Sequence, residues 1–259
     1  MGPADQSRTE EEIERLRAAL DAEARRCLEV QRQLDRANTE FEEFVSMAAH
    51  NLRESLRDVA SYSQLMAETY AGRLDSDAGV FLERIQEGAA RMQSLLTGVV
   101  DYWATGVGER QSSVTDMEAV LRQALLSTDK QITERCASVT HDPLPRVCGD
   151  FEILTKVLHH LIRNAIEYCD APSPRVHVAS RREDLEWVFS VEDNGPGIDP
   201  AFQGRIFGVF KRLHGKEQPG NGLGLAFCRK AIEWYGGRMW MESTPGAGST
   251  FYFTVAPAG

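Results

Sequence analysis

Residues 193–198 read Asp193-Asn194-Gly195-Pro196-Gly197-Ile198, and they close a strand expected over Leu185–Glu192. A carboxylate followed by two glycines lets the backbone approach a flat ligand while the acid accepts a hydrogen bond from it. Taken alone, the stretch also fits a simple turn. Downstream, Gly220-Asn221-Gly222-Leu223-Gly224-Leu225 opens a helix expected over 222–235. Glycines there free backbone N–H groups, and a helix N-terminus favours anions, so the chemistry is that of phosphate binding. The spacing matches neither the dinucleotide fingerprint nor the P-loop. Upstream, Asn164 sits in Leu161-Ile162-Arg163-Asn164-Ala165 on a helix expected over Phe151–Tyr168. Its amide is either a boundary residue or a neutral oxygen ligand for Mg²⁺ held between nucleotide phosphates.

Around these stretches the pattern is that of an α+β domain. Residues 116–135 read as a helix, Val139–Val147 as a short strand region with two prolines, and Arg175–Arg181 as a strand. Arg238–Ser243 and Thr250–Val255 read as a closing hairpin. Helices and mostly antiparallel strands segregated in this way place helices on one face of a sheet. This domain is expected over 114–259, after a polar linker at 107–113.

The first part of the chain is different. Residues 1–9 read as a flexible start. From Ile13 a heptad runs through a positions Ile13, Leu20, Cys27, Leu34, Phe41 and Ala48 and d positions Leu16, Glu23, Val30, Ala37, Phe44 and Asn51. One frame with a single early blemish, Glu23, predicts a long helix that pairs with another helix. The helical pattern continues through Leu52, Leu56, Val59 and Leu65 and stops near Tyr70. Asp75 or Ser76 caps a second helix, which carries Val80, Phe81, Ile85, Ala89, Met92 and Leu96 and ends at Thr105-Gly106. A helical hairpin over 10–106 with two apolar faces predicts a homodimer in which two copies form a four-helix bundle.

The chain has 259 residues and a formal net charge of −10, which disfavours binding nucleic acid through a basic surface. No apolar run approaches the roughly 18 residues needed to cross a bilayer, and the charged N-terminal stretch has no apolar core of a secretory signal. Five scattered cysteines without a CxxC pair argue against a disulfide framework or a zinc site, and fit a reducing cytoplasm.

In this order and at these spacings, Asn164, the 193–198 stretch and the 220–225 stretch resemble the N, G1 and G2 boxes of the GHKL (Bergerat) ATP-binding fold. Histidine kinases, gyrase-type ATPases and Hsp90-type chaperones share that fold. Residues 44–57, centred on His50-Asn51-Leu52-Arg53-Glu54, resemble the phosphoacceptor box of dimeric sensor histidine kinases, and Ile206–His214 resembles their F box. The combination is most similar to phytochrome-type kinases and covers roughly residues 40–256. The resemblance implies a phosphoacceptor helical hairpin followed by an α/β sandwich ATP-binding domain, with ATP and Mg²⁺ as cofactors. His50 would be the phosphoacceptor, at a c position facing away from the helix seam. Asp193 would accept from the adenine amino group, with Gly195 and Gly197 shaping that wall and Tyr168 nearby. Asn164 would hold Mg²⁺. Gly220, Gly222, Leu223 and Gly224 would border the triphosphate. Residues 211–221 would form a lid, with Lys211 or Arg212 on phosphate. The implied partners are a second copy, a response-regulator receiver domain and an upstream sensory domain or partner.

Three residues depart from the family's pattern. Asn51 replaces the usual acid after the histidine; its carbonyl can accept the imidazole N–H but cannot take the proton. Glu54, four residues on, either lends a carboxylate or pairs with a neighbouring arginine. His160 replaces the first asparagine of the N box, and offers imidazole where Mg²⁺ prefers oxygen. Glu167 replaces the usual lysine, so ATP binding should weaken unless Lys156, Arg163 or the lid compensates. Two functions fit: an ATP-dependent protein-histidine kinase, or a nucleotide-binding pseudokinase dimer. A gyrase-type clamp is disfavoured, because no transducer domain follows the last strand.

Overall fold

The structure is a computed structural model, and it describes residues 3–70, 73–106, 113–211 and 221–258. The chain divides into two compact units, Met1–Ala48 and Ala49–Gly259. The helix α1 runs Pro3–Thr69 and so contributes to both. It is helical already at Pro3, where the sequence reading expects an irregular start. In the first unit, Leu16, Leu20, Val30, Leu34, Phe41 and Phe44 are all exposed along the heptad. Among the described residues no helix is long and apolar enough to cross a membrane.

In the second unit, α1 is followed by α2 (Ser76–Ala104). The cap is Asp75, whose side chain accepts from the Ala78 N–H at 2.8 Å. Ala49 and Ser63 on α1 and Leu82 and Ala89 on α2 are buried, while Leu52, Val59, Leu65, Phe81, Ile85 and Met92 remain exposed. The hairpin therefore leaves much of its apolar surface uncovered.

The remainder is a layer of helices on a mixed sheet. The order is β1 (Ser113–Asp116), α3 (Met117–Glu134), β2 (Ser138–His141), β3 (Arg146–Gly149), α4 (Phe151–Glu167), β4 (Arg175–Glu183), β5 (Glu186–Asp193), α5 (Pro200–Gln203), α6 (Gly224–Trp234), β6 (Met239–Thr244) and β7 (Gly248–Val255). Five strands pair in the order β2-β4-β5-β7-β6, and β1 pairs with β3 in a separate ribbon. All pairings in the large sheet are antiparallel except β2 with β4. The apolar side of α4, with Val157, Leu158, Leu161, Ile162 and Ile166, packs in one core with Phe189, Val191, Phe251 and Phe253 of the sheet. Phe189 and Phe253 stack with centroids 5.0 Å apart. Spacing of 3.6 on α4 and alternation on β5 and β7 both supply the side facing this core.

Within the second unit, α2 also contacts this domain. Lys156 Nζ lies 2.6 Å from Asp101 Oδ1. Lys230 Nζ donates to the Tyr102 carbonyl at 2.8 Å and lies over the Tyr102 ring. Asn221 Nδ2 donates to the Ser94 carbonyl at 2.9 Å.

Candidate functional site

A cavity opens where α4, the segment after β5, the start of α6 and β7 meet. It is lined by Asn164 of α4 and Tyr168 just after it, Asp193 at the end of β5 with Gly197 and Ile198 beyond, Gly222 and Gly224 at the start of α6, and Lys211. Stretches separated by about sixty residues in the sequence thus share one wall.

Asp193 is anchored by its own loop. Its Oδ1 accepts the N–H of Gly195 at 2.8 Å and of Ser249 at 3.2 Å. Among the described residues no donor reaches Oδ2, which remains as an acceptor for a ligand. Burial pushes the carboxyl above the ordinary aspartate range, and the two backbone N–H groups pull it back. Gly195 serves by this hydrogen bond and does not itself line the cavity. The other walls, Ile198, Ile206, Leu225 and Phe251, are apolar and suit a flat ring.

The opposite end is polar. The capping residues of α2, α3, α4 and α5 are aspartates whose side chains accept first-turn N–H groups. The cap of α6 is Leu223, and no side chain caps that helix. Its first-turn N–H groups at Gly224 and Leu225 lie at the cavity, where an anion can satisfy them. Leu223 is buried, does not line the cavity, and donates its own N–H to Asn221 Oδ1 at 3.0 Å.

Residues 149–259 match the ATPase family described as histidine kinase-, DNA gyrase B-, and HSP90-like. Cyanobacterial phytochrome A of Nostoc sp. is 41% identical over 87% of this chain and 30% of its own length. Phytochrome-like protein Cph1 of Synechocystis sp. is 37% identical over 90% of this chain and 31% of its own length. The crystal structure of full-length ShkA in complex with AMPPNP has a TM-score of 0.66 at 25% identity, covering 84% of this chain and 46% of ShkA. This chain belongs to the histidine kinase family. It spans under a third of the two phytochrome-type relatives.

His50, expected from the sequence as the phosphoacceptor, lies on α1. Its side chain is 66% exposed, and Nε2 lies 3.9 Å from Glu54 Oε1. Asn51 is exposed beside it. None of these three lines the cavity. Arg212 and Gly220 lie outside the described residues, as does most of the expected lid.

His160 is turned away from the cavity. A Cβ on Gly224 would stand 3.1 Å from its Nδ1, and its ring meets Phe227 edge-on at 5.3 Å. Nδ1 is buried without a hydrogen-bond partner. Burial, with Arg163 next, lowers its pKa to about 3. Asn164 by contrast lines the cavity, and its side chain carries a neutral amide oxygen. Among the described residues no cluster of three acidic, histidine or cysteine side chains offers a metal site. That donor set fits a Mg²⁺ ion held chiefly by phosphates and water with one protein oxygen, and Asn164 fits that place where His160 does not.

The cavity also holds residues to which the sequence reading gave no role of their own: Pro196, Ile206 and Leu225 inside the quoted stretches, and Ser249 and Phe251 outside them. Ser249 and Phe251 follow the β-turn before β7, and a glycine-bracketed turn facing the 193–198 loop was their only signal.

Proposed function

We propose that this chain is the catalytic part of a two-component sensor kinase that transfers the γ-phosphoryl group of ATP to His50. The observation that carries the reading is the cavity itself. A half-buried carboxylate with one open oxygen stands at its apolar end, and an uncapped helix N-terminus with a lysine at the other. That arrangement suits an adenine at one end and a polyphosphate at the other.

In the transfer, a ring nitrogen of neutral His50 donates its lone pair to the γ-phosphorus. A P–N bond forms, the bridging P–O bond breaks, and ADP leaves with that electron pair. The remaining ring N–H gives its proton to Glu54 or water, since the Asn51 amide accepts a hydrogen bond but no proton. Mg²⁺ supplies charge neutralisation between the phosphates when bound, and Asn164 is the residue to hold it. The phosphoryl group then passes from the imidazole to an aspartate of a response-regulator receiver domain. The exposed apolar row of α1 and α2 is the surface for a second copy, giving a four-helix bundle. A cytoplasmic setting, where ATP is supplied, goes with this reading.

The second reading is a nucleotide-binding pseudokinase, favoured by Asn51 beside the nucleophile. Incubation with γ-labelled ATP and Mg²⁺ separates the two. Acid-labile, base-stable label that disappears in His50→Ala supports the kinase. Nucleotide binding without label supports the pseudokinase, and no nucleotide binding sinks both.

A further inference from the structure

Glu167 puts an anion where the resemblance leads one to expect a lysine, three residues after Asn164. Three described cations stand near this face of α4 and the lid stem: Lys156, Arg163 and Lys211. Lys156 is held by Asp101 at 2.6 Å and does not line the cavity. Lys211 lines it but is exposed. Arg163 lines it and is largely buried, with 20% of its side chain exposed. Its Nε is buried with no hydrogen-bond partner and lies 3.6 Å from Glu167 Oε2, an ion-pair distance. Glu167, as buried as Arg163, does not line the cavity. The carboxylate thus lies one helical turn on from Arg163 and outside the lining of the site.

We propose that Arg163 is the phosphate-recognising cation of this site and that Glu167 is its positioning residue, so that a charge pair one turn long replaces a single lysine. The inference rests on the nucleotide reading above and deepens it. A guanidinium held near Nε by a carboxylate keeps its terminal N–H groups for phosphate oxygens, which it meets in a bidentate fork. The buried Glu167 needs a charge partner, and Arg163 draws its carboxyl down against the upward push of burial. The same positive charge helps keep His159 and His160 neutral, which leaves Arg163 as the charge of this helix face at the site.

The test is calorimetric titration of the full chain with ATP, ADP and adenosine. Arg163→Ala should weaken ATP about tenfold or more, the worth of a charge-assisted hydrogen bond, and leave adenosine within about twofold. Retained adenosine binding also reports an intact fold; should alanine fail to fold, Arg163→Gln gives the same comparison. Glu167→Gln should weaken ATP less than Arg163→Ala does. The double exchange Arg163→Glu with Glu167→Lys should restore ATP affinity relative to Arg163→Glu alone. Unchanged ATP affinity in Arg163→Ala, or equal losses for ATP and adenosine, overturns the assignment while the nucleotide site stands. An unaltered chain that binds none of the three overturns both.

Discussion

Phe210 donates its backbone N–H to the Gly222 carbonyl at 2.9 Å, and the two residues adopt left-handed φ angles of 58° and 69°. The bond ties the two stems of the segment between them. A Cβ on Gly222 would stand 2.9 Å from the Phe210 carbonyl carbon and 3.0 Å from the Lys211 oxygen, both backbone atoms that cannot yield cheaply. Gly222→Ala should therefore cost about 1–3 kcal/mol of stability and weaken ATP more than adenosine, because the stem sets the triphosphate end. Thermal unfolding and paired titrations check both. Phe210→Gly removes an unfavourable φ for a bulky residue and should not lower the unfolding temperature.

On the proposed reading, in which Asp193 accepts from the adenine amine, nucleotide binding depends on pH. The Asp193 carboxyl is raised by burial, so protonation sets in at a higher pH than for an ordinary aspartate. The ionised form accepts from an exocyclic amine, so nucleotide affinity should fall as pH drops through that raised value. For folding, the sign is opposite: the native state binds the proton more readily, so this group favours the fold at low pH and less so above its folded pKa. Asp193→Asn should bind adenosine weakly at every pH and lose this acid limb, as read by titration between mildly acidic and neutral buffers.

His160 acts in the other direction. Its folded pKa of about 3 lies below the ordinary 6.5, so unfolding takes up a proton between those values. Its neutral burial costs nothing above pH 6.5, and stability falls as pH drops from there towards 3. The loss amounts to up to about 5 kcal/mol at the acid end. His160→Leu keeps an apolar contact with Phe227 and should flatten that slope. Urea unfolding of both proteins at several pH values gives the comparison; parallel slopes would refute it.

The elements of the sheet domain were readable because each carries its own period. Ile153, Leu154, Val157, Leu158 and Leu161 space as a helix, and Phe189, Val191, Phe251 and Phe253 alternate as strands. What escaped depends on distant partners. The sequence reading ends its linker at Ser113 and begins a helix at Asp116, yet Ser113–Asp116 is a strand, because it pairs with β3 and Thr115 Oγ1 donates to the Gly149 carbonyl at 2.7 Å. The parallel pairing of β2 with β4 has no local signal. At the site, the glycine-bracketed stretches announce their backbone chemistry, so Asp193, Gly222 and Gly224 were legible. His160 was not, because helix spacing puts it near Asn164, and only the packing of Gly224 and Phe227 shows that it is sealed off.

Gly98 on α2 marks a close approach. A Cβ there would stand 2.7 Å from Asn221 Nδ2 and 2.9 Å from Leu223 Cδ1. Gly98→Leu improves helix propensity but forces α2 away from the start of α6, at a cost of about 1–3 kcal/mol for overpacking. Amide exchange at Leu223–Cys228 should accelerate in this variant. Asn221→Ala, which removes the hydrogen bond to the Ser94 carbonyl, should do so to a smaller degree. Unaltered exchange in Gly98→Leu would mean the helices do not meet this way in solution.

Glu54 stands one turn from His50, with Nε2 and Oε1 3.9 Å apart, and residue 51 between them on the chain is an amide. The distance admits a weak, solvent-exposed interaction, so its worth as a salt bridge is small. Its worth as a proton acceptor is another matter, since position 51 is an amide and offers no carboxylate for that work. Glu54→Gln should lower the initial autophosphorylation rate by about tenfold, below the roughly 10²–10⁴ of a fully engaged base, and leave ATP affinity unchanged. Asn51→Asp should raise the rate. In that background Glu54→Gln should have little further effect, because one carboxylate then suffices. A double-mutant cycle on the initial rates decides it: additive effects would show that the two carboxylates do not share one role.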